Sequence, residues 1–402
     1  MKKYNKLVLG IIFELIFISL ALFAGLCLKK APAVMSVFKP SAETDKDYIK
    51  WVEFNVTYSA LNSAYNYDVE SYSDEVHVNW IELLAYLGAR YGGDFSKYKE
   101  KDLKQVVQKL KDCEETIDSL TEKMKYYNYY YEAYSAVLGG LVGEYDIQIP
   151  DETNPEQKVW VHQYGLKGFS PIAKFYGYSD FDDFGSSRSY GFKRIHLGHD
   201  MMGQTGTPII AIESGYVEIL GWNQYGGWRI GIRSFDKKRY YYYAHLRKNF
   251  PYNKSLVVGS IVQAGDVIGY LGHTGYSAKE NVNNIETPHL HWGLQLVFDE
   301  SQKECNNEIW VNCYALTKFL YKNRIETVKN LETKEYSRVY EFRDPAAEEF
   351  RQFLKSHPES TYMPSPQPLS PLLPTLDPTA PPTSPPEPQT FLLPSISPVP
   401  NP

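Results

Sequence analysis

The spacing of apolar and polar positions changes character several times along the chain. Leu7 to Leu28 is a run of 22 residues with one charge, Glu14, and lysines on both flanks. As a helix it would measure about 33 Å, against a hydrocarbon core of about 30 Å. The run predicts a single membrane anchor, with residues 1–6 cytoplasmic and the rest of the chain outside. Residues 29–75 show no clear period and read as a juxtamembrane linker. Trp80, Leu83, Leu84 and Leu87 lie at helical spacing, and Gly92-Gly93 ends that helix. From Leu103 through Val106, Leu110, Cys113, Ile117, Leu120, Met124, Tyr127, Tyr131 and Tyr134 to Leu138, the steps alternate three and four. That is an a/d seam. It predicts either a coiled coil that self-associates or binds a partner, or one long helix packing on the 77–91 helix. The evenly mixed charges around the seam favour packing within the chain.

Beyond about residue 171 the texture becomes β-rich. Short runs such as Pro208–Ile212, Tyr216–Leu220, Trp228–Ile232 and Arg239–Ala244 are separated by Gly-containing turns. This is an antiparallel all-β signature. Trp310 to Tyr321 reads as an amphipathic helix. The expected organisation is multidomain: an anchor at 7–28, a helical domain at 76–145, a linker at 146–170, a β domain at 171–325 and a charged, helical extension at 326–356. The tail, 357–402, is rich in proline, holding 16 of the chain's 25 prolines from Pro358 onward, and reads as disordered.

Composition narrows the function. With 43% hydrophobic and 22% charged residues the chain is globular in the main. A net charge of −6 leaves no basic excess for phosphates, so nucleic acid is excluded as a general partner. Four cysteines exclude a disulfide-built scaffold. The spacing of Cys305 and Cys313 leaves their pairing open, and Cys113 fits the helical seam.

Six of the nine histidines lie between His196 and His291, within the β block. They fall in three pieces: Arg194-Ile-His-Leu-Gly-His-Asp200, Tyr243-Ala-His-Leu246 and Pro288-His-Leu-His-Trp292. In a strand, residues two apart share a face, so His289 and His291 should point into one groove while Leu290 points to the core. Histidines with a carboxylate suit zinc, and a catalytic zinc takes three protein ligands and a water. His196 and Asp200 can supply two ligands, and one of the paired histidines the third. The histidines left over would stand near the water, placed to take its proton.

These elements resemble the M23 zinc metallopeptidases, the LytM and lysostaphin type that cut peptidoglycan peptides. The resemblance covers roughly residues 180–298. It rests on His-Leu-Gly-His-Asp at 196–200, Gly-Thr-Pro-Ile at 206–209, Gly-Tyr-Val at 215–217, Tyr-Ala-His-Leu at 243–246, Val-Gly-Ser-Ile-Val at 258–262, Gly-His-Thr-Gly-Tyr-Ser at 272–277 and His-Leu-His at 289–291. It implies that His196, Asp200 and His291 hold zinc, that His245 and His289 orient and activate the water, and that Tyr190 helps to stabilise the oxyanion. It implies no role for His199 and places His273 at the rim. Ala278 to Thr287 is longer than the family pattern. The function implied is a membrane-anchored zinc endopeptidase facing the wall, with peptidoglycan peptides as substrate. The alternative is a zinc-bound but weakly lytic scaffold in an envelope assembly.

Overall fold

A computed structural model describes residues 48–189, 193–303 and 308–358. The apolar run at 7–28, Tyr190, Cys305 and the proline-rich tail lie outside the described residues. Among the described residues no helix is long and apolar enough to cross a membrane. The expected single-pass membrane placement is corrected on that finding.

The first described block is helical: α1 (Tyr58–Ser71), α2 (Trp80–Tyr91), α3 (Glu100–Lys111), α4 (Ile117–Thr121) and α5 (Tyr127–Leu138). Helix α1 falls inside the stretch read as a linker. Thr57 caps it, and Val52, Phe54, Val56, Ala60, Leu61 and Ala64 are buried. Buried Asp68 fastens this helix. It accepts hydrogen bonds from the Trp80 backbone N–H at 2.8 Å and the Tyr164 hydroxyl at 2.7 Å, and it pairs with His77 at 2.9 Å. Helix α2 starts at Asn79, whose side chain accepts from the N–H groups of Ile81 and Glu82, and stops at Gly92 with φ +65°.

The seam from Leu103 to Leu138 is not one helix, and the coiled-coil expectation is corrected. The chain leaves α3 through Cys113, which has φ +56° and is exposed. Thr116 and Ser119 then form a capping box that begins α4. Leu103, Val106, Leu110, Tyr134 and Leu138 are buried in one core, so the two ends of the seam face inward, while Cys113 and Tyr131 between them are exposed. Its a/d positions do meet, but by folding the chain back rather than by running straight. Helix α5 packs on α2 within the chain.

Residues 146–170, also expected as a linker, fall mostly in a hairpin of β1 (Val142–Pro150) and β2 (Lys158–Leu166). The main sheet has eight strands. Its order is β11 (Ile261–Val262), β8 (Gly215–Asn223), β9 (Gly227–Ser234), β10 (Arg239–Ala244), β13 (His289–Leu296), β6 (His199–Gly203) and β3 (Tyr178–Ser179), with β14 (Ile309–Val311) also on β13. All these pairs are antiparallel, as are two pairs outside the sheet, β4 (Ser187–Ser189) with β5 (Lys193–Ile195) and β7 (Pro208–Ile210) with β12 (Val267–Tyr270). The period of two is followed closely. Ile230, Ile232, Tyr241, Tyr243, Leu290, Trp292, Leu294 and Leu296 make the core face, each no more than 1% exposed. The short helix α6 (Tyr314–Leu320) covers that face, and its Thr317 hydroxyl accepts from Trp292 Nε1 at 3.1 Å. The 326–356 extension supplies a hairpin of Thr327–Lys329 with Tyr336–Arg338, the strand Phe342–Arg343 that pairs β1, and α7 (Pro345–Ser356).

Helices and sheet share one core. Trp80 stacks on Phe319 with ring centroids 5.6 Å apart. Arg239, 2% exposed, binds Glu213 through Nε at 2.7 Å and donates Nη1 to the carbonyls of Ser135 and Ala136 near the end of α5. A buried cation at a helix C-terminus complements its carbonyls; here it shares the Ser135 carbonyl with the Gly139 N–H, which also donates to it at 2.9 Å.

Candidate active site

The other face of the sheet floors an open groove of about 500 Å³. His291 projects from it, two residues after His289, while Leu290 and Trp292 between and beyond them are fully buried. Register brings Asp200 opposite His291 on one side and Ala244 opposite it on the other. His196 arrives from the loop before β6. A Cβ on Gly198 would lie 2.5 Å from the His291 ring, so only glycine lets that loop close down. His245 follows β10 with φ +61°, an uncommon conformation for a residue with a Cβ. Its N–H is held by the Gly226 carbonyl at 2.8 Å.

Three donor atoms converge. His196 Nε2 is 3.1 Å from Asp200 Oδ1 and 3.1 Å from His291 Nδ1, and His291 Nδ1 is 2.8 Å from Asp200 Oδ1. Tetrahedral bonds of the length zinc makes would put such donors about 3.3 Å apart. Two imidazole nitrogens and one carboxylate oxygen in a triangle of that size fit a zinc ion. His196 Nδ1 is 2.8 Å from Asp183 Oδ1, which fixes its tautomer and leaves Nε2 free to ligate. Arg188 bridges the same Asp183 and Oδ2 of Asp200, the latter at 2.7 Å.

His245 and His289 stand beside this triangle with ring centroids 4.8 Å apart. His245 Nδ1 faces the Thr274 carbonyl at 3.0 Å, and His289 Nδ1 faces the Thr287 carbonyl at 2.8 Å. A carbonyl only accepts, so both Nδ1 atoms carry a proton, and Nε2 is the atom of each ring left for proton exchange. His289 Nε2 lies 3.8 Å from Asp200 Oδ1. Burial, then the neighbouring histidines, hold His245 well below the ordinary imidazole range, so it is neutral at pH 7. Burial also lowers His291. For Asp200 burial acts upward, but hydrogen bonds to His196 and His291 outweigh it and keep the carboxyl well below the carboxylate range.

The structure thus brings together five of the six residues singled out in the sequence, and the sixth, Tyr190, lies outside the described residues. His199 points away, 2% exposed, with Nε2 2.9 Å from Asp180 Oδ2. His273 binds the Ile285 carbonyl at 2.8 Å. The long 278–287 loop is pinned by Asn281, whose Oδ1 accepts from Trp228 Nε1 at 2.9 Å and the Asn249 N–H at 2.8 Å. Asp183 and Arg188 were missed by the sequence reading. The one local signal was the density of aspartates at 180, 182 and 183 just before the first histidine.

Residues 194–305 match the profile of Peptidase family M23. This segment is similar to the M23 peptidases. M23 is a metallopeptidase family that hydrolyses peptidoglycan, and relatives that match include proteins named endopeptidases. An L-Ala–D-Glu endopeptidase of Bacillus subtilis is 34% identical over 154 residues, covering 38% of this chain and 44% of that protein. Lysostaphin of Staphylococcus staphylolyticus is 36% identical over 132 residues, covering 33% of this chain and 24% of that protein. The chain therefore spans less than half the length of either relative. A solved LytM structure from Ruminococcus gnavus is 23% identical, with a TM-score of 0.46, and the match covers 70% of this chain and 94% of that one.

Proposed function

We propose that the M23-like domain is a zinc endopeptidase that hydrolyses peptide bonds of bacterial peptidoglycan cross-links. The observation that carries this reading is the donor triangle of His196, Asp200 and His291, with two imidazole bases beside it. His196, Asp200 and His291 would hold the ion. When bound, zinc polarises the scissile carbonyl and lowers the pKa of a coordinated water to about 7. The chain's own residues do the rest. His245 Nε2, neutral and oriented by Thr274, takes the proton of the attacking water. His245 then hands that same proton to the leaving amine as the C–N bond breaks, and His289 Nε2, oriented by Thr287, stands on the same side to orient the water and stabilise charge. Arg188 and Asp183 hold the ligating carboxylate and imidazole at their angles. The named substrates of the relatives supply the substrate class.

Ligands and bases fail differently, and that is the test. His291→Ala or Asp200→Ala should lower zinc content together with hydrolysis. His245→Ala should keep zinc near one per chain and lose about 10²–10⁴ in rate. Zinc is measured by elemental analysis, and hydrolysis by mass spectrometry of fragments released from cell wall. Zinc retained in His291→Ala would refute the ligand set. Stoichiometric zinc in the unmutated protein with no wall peptide cut would favour the scaffold function instead.

A further inference from the structure

The groove continues past the histidines along the polar face of the sheet. The register that pairs Ala244 with His291 and Tyr243 with Ile230 puts Arg229 of β9 in one row with Ala244 and His291. Two strand spacings separate Arg229 from His291, about 10 Å. Arg229 is half-buried and lines the cavity together with Ile219, Tyr225, Tyr242 and Ala244. The other cations on this wall are occupied. Lys303 pairs with Glu218 at 2.5 Å, and the Arg194 guanidinium lies over the Tyr276 ring, 4.5 Å from its centroid. Arg229 bonds the Tyr242 side chain, which orients it. Its Nε is buried with no acceptor, and no carboxylate pairs with it among the described residues.

A guanidinium Nε removed from water without an acceptor is costly, and the planar fork it belongs to matches a carboxylate in two hydrogen bonds. An arginine in that state on the wall of a substrate groove is completed by a ligand's carboxylate. We propose that Arg229 is a subsite for a carboxylate on the bound peptide. At about 3.3 Å per extended residue, 10 Å places that carboxylate some three residues from the bond cut. The peptide's identity as a wall peptide rests on the proposed endopeptidase function; the carboxylate preference rests on Arg229 alone.

The experiment measures binding and cleavage of three peptides by the full chain. One is a peptidoglycan stem peptide with free side-chain and terminal carboxyls. In the second the side-chain carboxyl is the primary amide, and in the third the terminal carboxyl is. Calorimetric affinity should fall about 10–100-fold for one of the two amides, the scale of a lost charge-assisted bond, which identifies the carboxylate read. Arg229→Gln should abolish that difference, so that the free and amidated peptides bind within about twofold of each other. Arg229→Lys should keep part of it. Discrimination that survives Arg229→Gln, equal affinity of the unmutated protein for all three peptides, or an equal loss for all three in Arg229→Gln with an unchanged melting temperature would overturn the subsite. Discrimination in binding without cleavage of any peptide would leave the subsite standing and sink the endopeptidase function.

Discussion

Asp183 is the residue through which the upstream loop controls the candidate metal centre. Its Oδ1 takes the Nδ1 proton of His196 at 2.8 Å, and its Oδ2 pairs with Arg188, which in turn holds Asp200 at 2.7 Å. One carboxylate therefore steadies two of the three ligands. Asp183→Ala removes the acceptor that fixes the His196 tautomer and releases Arg188 from one of its two anchors. Loss of such an outer partner costs 10–100-fold in metal affinity, about 1.4–2.7 kcal/mol. Asp183→Asn keeps an oxygen for the Nδ1 proton but loses the charge, so it should fall at the low end of that range. Asp200→Ala should lose more than either, since it removes a ligand. Zinc affinity is read by competition against a chromophoric chelator, starting from metal-free protein, and circular dichroism checks that each variant folds. If Asp183→Ala binds zinc as tightly as the unmutated chain, within about twofold, the loop does not support the site and the argument from its hydrogen bonds is wrong.

Four further outcomes follow from the same geometry. His199→Ala should keep zinc and most activity but lose about 1–2 kcal/mol of stability in denaturant melts, because Asp180 loses its partner; loss of zinc would move His199 into the site. Burial holds His199, His245 and His291 below the unfolded value near 6.5, so the unfolded chain binds protons that the folded apoprotein refuses. Stability of the metal-free protein should be full above about pH 6.5 and decline below it, by up to about 1.4 kcal/mol per histidine at pH 5.5; melts that are flat from pH 7.5 to 5.5 would contradict this. Arg239→Met strands the buried Glu213 and frees the α5 carbonyls, and should cost about 3–5 kcal/mol in urea unfolding, with a small loss arguing that water enters the interface. A Cβ on Gly231 would lie 2.1 Å from the Tyr240 hydroxyl, so Gly231→Ala must displace that ring from the groove floor and should destabilise by about 1–3 kcal/mol and weaken peptide binding; unchanged affinity would place the peptide elsewhere.

Much of the site could be read from local chemistry. Alternation along one strand is enough to set His289 and His291 on one face with Leu290 on the other. The short His196 to Asp200 spacing and the Tyr-Ala-His-Leu piece stand out because histidines are few outside the β block. The helix that ends at Gly92 was legible for the same reason: a period of 3.6 and a glycine stop are properties of a dozen consecutive residues.

What sequence spacing cannot contain is where a chain turns when packing makes it turn. The heptad pattern from Leu103 to Leu138 states which residues share a buried side, and that statement holds at the two ends of the seam but not for Cys113 and Tyr131, which are exposed. It does not state that the backbone bends at Cys113, an exposed non-glycine residue at φ +56° after which the Glu114 N–H turns back to the Lys109 carbonyl at 3.1 Å and closes the helix. The same limit hid the helix at Tyr58–Ser71 and the β1–β2 hairpin. They are ordered by contacts with distant segments, such as Tyr164 on Asp68. The metal-binding geometry shows the division most clearly. The residue types were set by the sequence, but the pairing of Asp200 with His291 comes from strand register across a span of 91 residues. The anchoring of His196 by Asp183 and the buried Arg229 Nε that lacks an acceptor come from loops and strands meeting in space. Such contacts depend on the summed packing of the whole sheet, which no window of neighbouring residues encodes.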